Sequence, residues 1–80
     1  MTVQDLKETL TSAEASPAAK ERCVALIALY SASYSYALRT GGTQEHAVYS
    51  GNFDIFLYEN DDIASIEAAE KELLRLAGAA

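Results

Sequence analysis

Eighty residues carrying twelve acidic and six basic side chains, a formal net charge of −6, make one small domain near the lower size limit for a self-supporting core. Few Lys and Arg, with no basic cluster, exclude a protein that grips a phosphate backbone directly. Half of the residues are hydrophobic, much of that alanine, a composition that gains stability from a partner.

In chain order, Thr2 followed by Asp5 forms a capping-box pattern, and Val3, Leu6 and Leu10 recur at helical spacing, which predicts a short amphipathic helix over 3–11. The start of the chain, Met1-Thr2-Val3-Gln4-Asp5, has neither a basic region nor an apolar run, so no secretory leader is expected. Thr11 to Ser16 is a small-residue connection, so residues 2–16 form an N-terminal helix and its link to the next element.

Ser16 is a good N-cap and Pro17 suits the first helical position, which opens a central helix over 17–39. Beyond Lys20-Glu21-Arg22 almost every position is apolar or small, and a helix of this kind must be covered on several sides. Its serines interrupt the run, so it falls short of a membrane-spanning stretch. Residues 31–36 alternate with period two and admit a strand reading. Helix is favoured, because the run continues on either side without a breaker, and it places Tyr30 and Tyr34 on one face. Thr40-Gly41-Gly42-Thr43 stops the helix.

Two β-prone runs, His46 to Ser50 and Phe53 to Tyr58, flank Gly51-Asn52, which predicts a β-hairpin over 45–58. On its second strand Phe53, Ile55 and Leu57 share one face, and Asp54, Phe56 and Tyr58 the other. A two-stranded ribbon cannot bury two apolar faces, so one is expected to pack on the helices and the other to meet a partner. The last helix is expected over 61–77, capped by Asn60 or Asp61. Its apolar stripe is Ile63, Ile66, Ala69, Leu73 and Leu76, with a Glu67–Lys71 pair on the wet side and Arg75 near its end. Gly78 ends it, and Ala79-Ala80 are expected to fray. The fold expected for residues 1–80 is therefore a single α+β domain: short helix, long central helix, β-hairpin and C-terminal helix.

No catalytic constellation accompanies these elements. His46, the one histidine, has no nucleophile or orienting carboxylate that the sequence can place beside it and reads as a turn-flanking polar residue. Cys23, the one cysteine, lacks a CxxC partner and reads as a small buried hydrophobe, in keeping with a reducing compartment. Asp54, Glu59, Asp61 and Asp62 do not follow calcium-loop spacing, and carboxylates at a helix start are ordinary caps. Thr40 to Thr43 lacks the lysine of a phosphate loop. No enzyme activity, cofactor or metal is expected.

The aromatics remain: Tyr30, Tyr34 and Tyr36 in the central helix, and Tyr49, Phe53, Phe56 and Tyr58 in the hairpin segment. Stacking platforms for bases come with basic residues, and none accompany these. Part of the set is core. The rest, Phe56 and Tyr58 most clearly because they lie opposite the Ile55/Leu57 face, is assigned to a protein–protein surface, where tyrosine supplies contact area at low entropic cost.

From the central helix onward the chain resembles the small head-completion, or head–tail joining, proteins of tailed phages, of the lambda W-protein type. The residues that carry this are the hairpin Val48-Tyr49-Ser50-Gly51-Asn52-Phe53-Asp54-Ile55, the cap Asn60-Asp61-Asp62 and the stripe Ile63, Ile66, Ala69, Leu73, within roughly residues 18–77. The chain departs from the family in being acidic around the hairpin and in carrying the extra segment 2–16. The resemblance implies a non-enzymatic ring subunit of a phage neck. It would assemble as a homo-oligomer with portal and tail proteins in the virion, after synthesis in the bacterial cytoplasm, with no nucleic-acid or membrane contact. The alternative from another class is a small acidic inhibitor or antitoxin-like protein of the bacterial cytoplasm, masking a basic, nucleic-acid-binding site. Binding of that kind weakens steeply with salt, and an apolar interface does not.

Overall fold

A computed structural model describes residues 1–78, and the fraying expected of Ala79-Ala80 lies outside them. The described chain is all-helical: α1 (Val3–Thr11), α2 (Pro17–Arg39), α3 (Gln44–Tyr58) and α4 (Ile63–Leu76). The caps follow from local chemistry. In α1 the Thr2 hydroxyl accepts from the Asp5 amide while the Asp5 carboxylate accepts from the Thr2 amide at 2.8 Å, a reciprocal capping box. Ser16 caps α2, with Pro17 at its first position. Thr43 caps α3 through the His46 amide. The cap of α4 is Asp62, accepting from the Ser65 amide at 2.8 Å, rather than Asn60 or Asp61. Between α2 and α3, Gly41 takes φ +91°, where a side chain would be strained, and the Gly42 amide returns to the Ala37 carbonyl at 2.8 Å.

The long helix α2 is the hub. All three other helices pack on it, α1 touches α3 slightly, and α3 and α4 share almost no contact of their own. The core is built from Leu6 of α1, Cys23, Leu26 and Leu29 of α2, Ile55 of α3 and Ile66 of α4. An apolar helix needs cover on several sides, and here its own chain supplies most of it. A strip through Val24, Ser31, Ser35 and Leu38 stays exposed. Residues 31–36 are helical, and Tyr30 and Tyr34 do share a face, with ring centroids 6.0 Å apart.

The expected β-hairpin over 45–58 is absent, and with it the α+β class: the segment is α3, and the described residues contain no strand. The reason lies in Gly51-Asn52, the pair that looked like a turn. Gly51 has no positive φ and is buried, because α2 packs on α3 there and the Cδ2–Cε2 side of the Tyr30 ring lies against it. A Cβ at Gly51 would sit 2.4 Å from Tyr30 Cδ2. The Asn52 side chain accepts the Val3 amide at 2.9 Å and so ties the start of α1 to α3. Both residues answer tertiary demands, and packing overrides the β propensity of Val48, Tyr49, Phe53 and Ile55. Next to this contact the Ser33 and Ser50 hydroxyls hydrogen-bond at 2.9 Å.

Two arginines close helix ends. Arg22 of α2 donates to the carbonyls of Glu59 and Asp61 past the end of α3, and Arg39 donates to the Ala77 carbonyl past α4 at 3.1 Å. On α4 the close ion pair is Glu72–Arg75 at 2.5 Å; the expected Glu67–Lys71 pair is not formed among the described residues.

Candidate protein-interaction surface

The packing of α3 leaves one of its faces without a partner. Its inner face is Ala47, Gly51, Ile55 and Tyr58, at spacings of 4, 4 and 3; the first three are buried and Tyr58 packs half-buried against the core. Half a turn away, at spacings of 4, 3 and 1, stand Tyr49, Phe53, Phe56 and Leu57. They are 65%, 46%, 64% and 51% exposed, so three of the chain's seven aromatics face water on one helix. The Tyr49 and Phe53 rings stack on each other, 6.1 Å between centroids and 20° between planes. A helix that is apolar on both faces is the pattern of an element buried on both sides. Here the fold buries one.

The surroundings of this face are electrostatically simple. Helix α3 contains no Lys or Arg; its acidic residues are Glu45 and Asp54, and His46 lies exposed in its first turn. Past its C-terminus comes the acidic turn Glu59-Asn60-Asp61-Asp62. The N-terminal ammonium lies 3.4 Å from Glu59, and Arg22 donates to the Glu59 and Asp61 carbonyls, so these two positive groups are taken up by that turn.

The seven aromatics assigned from sequence to an interface fall into two groups. Tyr49, Phe53 and Phe56 are brought together on the outer face of α3. Tyr30, Tyr34, Tyr36 and Tyr58 are half-buried: Tyr30 lies over Gly51, where burial raises its phenol above the usual range, and Tyr58 lies against the core cluster. Leu57 belongs to the outer face and was missed, because a strand reading sends it to the side opposite Phe56. The spacing of residues 49, 53, 56 and 57 is the signal that would have found it.

The described residues enclose no pocket, and no three of their His, Cys, Asp or Glu side chains are placed to hold a metal ion together. Cys23 is buried in the core, and no described helix is long and apolar enough to cross a membrane. The displaced carboxyl groups belong to caps and a surface pair: Asp5 and Asp62 are held below the usual range by the amides and hydroxyls they cap, and Glu72 by Arg75. No family model, curated protein or solved structure matches the chain.

Proposed function

We propose that this chain is a non-enzymatic interaction subunit that works by docking the outer face of α3 onto a protein surface. The observation that carries the reading is the stripe of Tyr49, Phe53, Phe56 and Leu57, exposed opposite the inner face on which Ala47, Gly51 and Ile55 are buried. Large apolar side chains contiguous on one helix, rimmed by polar and acidic residues, are the composition of interface cores. Of the residues that carried the resemblance to phage-neck proteins, the hairpin segment 48–55 is helical, while Asp62 and the stripe Ile63, Ile66, Ala69 and Leu73 do lie at the cap and in the body of α4. What is kept of it is the mode of work, a small domain whose exposed apolar surface is completed by neighbours in an assembly.

The test is the size of the chain's native complex in extracts of cells that make it. Wild type is expected well above its own 8.6 kDa. Phe53→Ser with Phe56→Ser should return it to the monomer position while leaving helical circular dichroism intact, since both side chains lie outside the core. A complex unchanged by the double substitution would contradict the reading. A complex that dissolves in salt instead would favour the acidic-inhibitor alternative.

A further inference from the structure

We infer that the occupant of this face is a second copy of the same chain, joined in an antiparallel α3–α3 pair about a two-fold axis beside Phe53. The inference rests on the outer face of α3 being the contact surface, and adds the partner and its orientation. At the exposures given above, with aromatic side chains presenting 150–250 Å² each, the stripe offers roughly 500 Å² of apolar area. That is about a tenth of the 5013 Å² surface of the chain. Two copies bury about 1,000 Å² of apolar area this way, and the polar rim adds to it, which reaches the lower bound for a specific interface.

The arrangement of the stripe is self-complementary. Phe53 lies midway between Tyr49 and Leu57, so a two-fold axis there sets Tyr49 against Leu57 of the second copy and Phe53 against its own equivalent. The stripe carries no charge, so it does not select a charged partner. Charge at its ends selects the direction. A parallel pair would set the acidic turn Glu59-Asn60-Asp61-Asp62 beside its own duplicate. An antiparallel pair sets each acidic turn beside the start of the other α3, at the positive end of the helix dipole, where it meets the single carboxylate Glu45 beside His46 instead of a second acidic turn.

The experiment is sedimentation equilibrium on the purified full chain, followed by cysteine pairing. Wild type titrated from about 10 μM to about 1 mM, across the affinities expected of a minimal interface, should rise toward twice the 8.6 kDa monomer mass, and Phe56→Ser should stay at the monomer mass over the same range with unchanged helical content. Because each copy carries −6, raising the salt should tighten the dimer several-fold. In a Cys23→Ala background, Tyr49→Cys mixed with Leu57→Cys should oxidise to the 49–57 disulfide in preference to 49–49 or 57–57. Preference for the like pairs would overturn the antiparallel orientation, and weakening by salt would overturn an apolar pair of like-charged copies. A monomeric wild type whose complex in cell extracts is still lost on Phe53→Ser/Phe56→Ser overturns the second copy and leaves the contact face standing. A monomer whose extract complex is untouched overturns both.

Discussion

A methyl group at position 51 decides whether α2 and α3 can pack as they do. Gly51→Ala gains helix propensity of about 1 kcal/mol, but its Cβ would lie 2.4 Å from Tyr30 Cδ2 and 3.0 Å from Cγ, near the rigid root of the ring. Overpacking of this kind costs roughly 1–3 kcal/mol, so the expected outcome is a net loss of stability, read as a lower urea midpoint with an unchanged slope. Asp62 gives a second residue-scale prediction. Its carboxyl is held below its usual value by the Ser65 hydrogen bonds, so its contribution is present at neutral pH and is lost as pH falls through the depressed value, below the ordinary 3.8. Asp62→Asn keeps a competent cap. Stability at pH 7 should hardly change, while acid unfolding measured between about pH 5 and pH 2 should become shallower. The caps at Thr2 and Ser16 were legible in the sequence, because a cap is a short-range affair between a side chain and an amide three residues on; Thr43 was read only as part of the stop after α2, because a strand was expected behind it. The role of Gly51 was not, since its reason stands 21 positions away at Tyr30.

At the scale of elements, α1 depends on two attachments: Leu6, which has no exposed surface, and the Asn52 side chain that receives the Val3 amide. A nine-residue helix is too short to persist alone. Leu6→Ala should cost about 2–5 kcal/mol. Asn52→Ala should cost about 1 kcal/mol, and hydrogen exchange should speed up in the first turn of α1 while the amides of α2 stay protected. The long, strongly marked helices could be read from the chain: Pro17–Arg39 runs from a serine cap to a double glycine, and α4 shows its stripe at helical spacing. Helix α3 could not be read the same way. Half of its inner face is Ala47 and Gly51, small residues that leave little mark in a hydrophobic pattern, while Tyr49, Phe53, Phe56 and Leu57 lie outside. A pattern search for buried residues therefore follows the wrong face and meets aromatic residues on either side of a glycine, the local signature of a hairpin. The same inversion explains why part of the interface was legible and part was not: Tyr49, Phe53 and Phe56 stand out as aromatics under any backbone, whereas Leu57 joins them only on a helix.

For the whole molecule, the balance between what the fold buries and what it leaves exposed is the central feature. Helix α2 distributes its apolar surface among three neighbours, so the chain closes its own core, and the exposed aromatics are gathered on one side of α3, with Val24 and Leu38 left on the open strip of α2. That arrangement separates folding from assembly. Substitutions at Tyr49, Phe53, Phe56 or Leu57 should alter association with little effect on the unfolding midpoint of the monomer, whereas substitutions at Leu26, Leu29 or Ile66 should do the reverse. The most direct test of the contact surface places a photo-crosslinking benzophenone amino acid at position 56, and separately at position 24 on the exposed strip of α2, in cells making the protein. Both positions are well exposed, at 64% and 58%, so both probes leave the core intact. Position 56 should yield a discrete crosslinked product above the 8.6 kDa chain, and position 24 should yield little or none. Crosslinking from position 24 with none from position 56 would contradict the account.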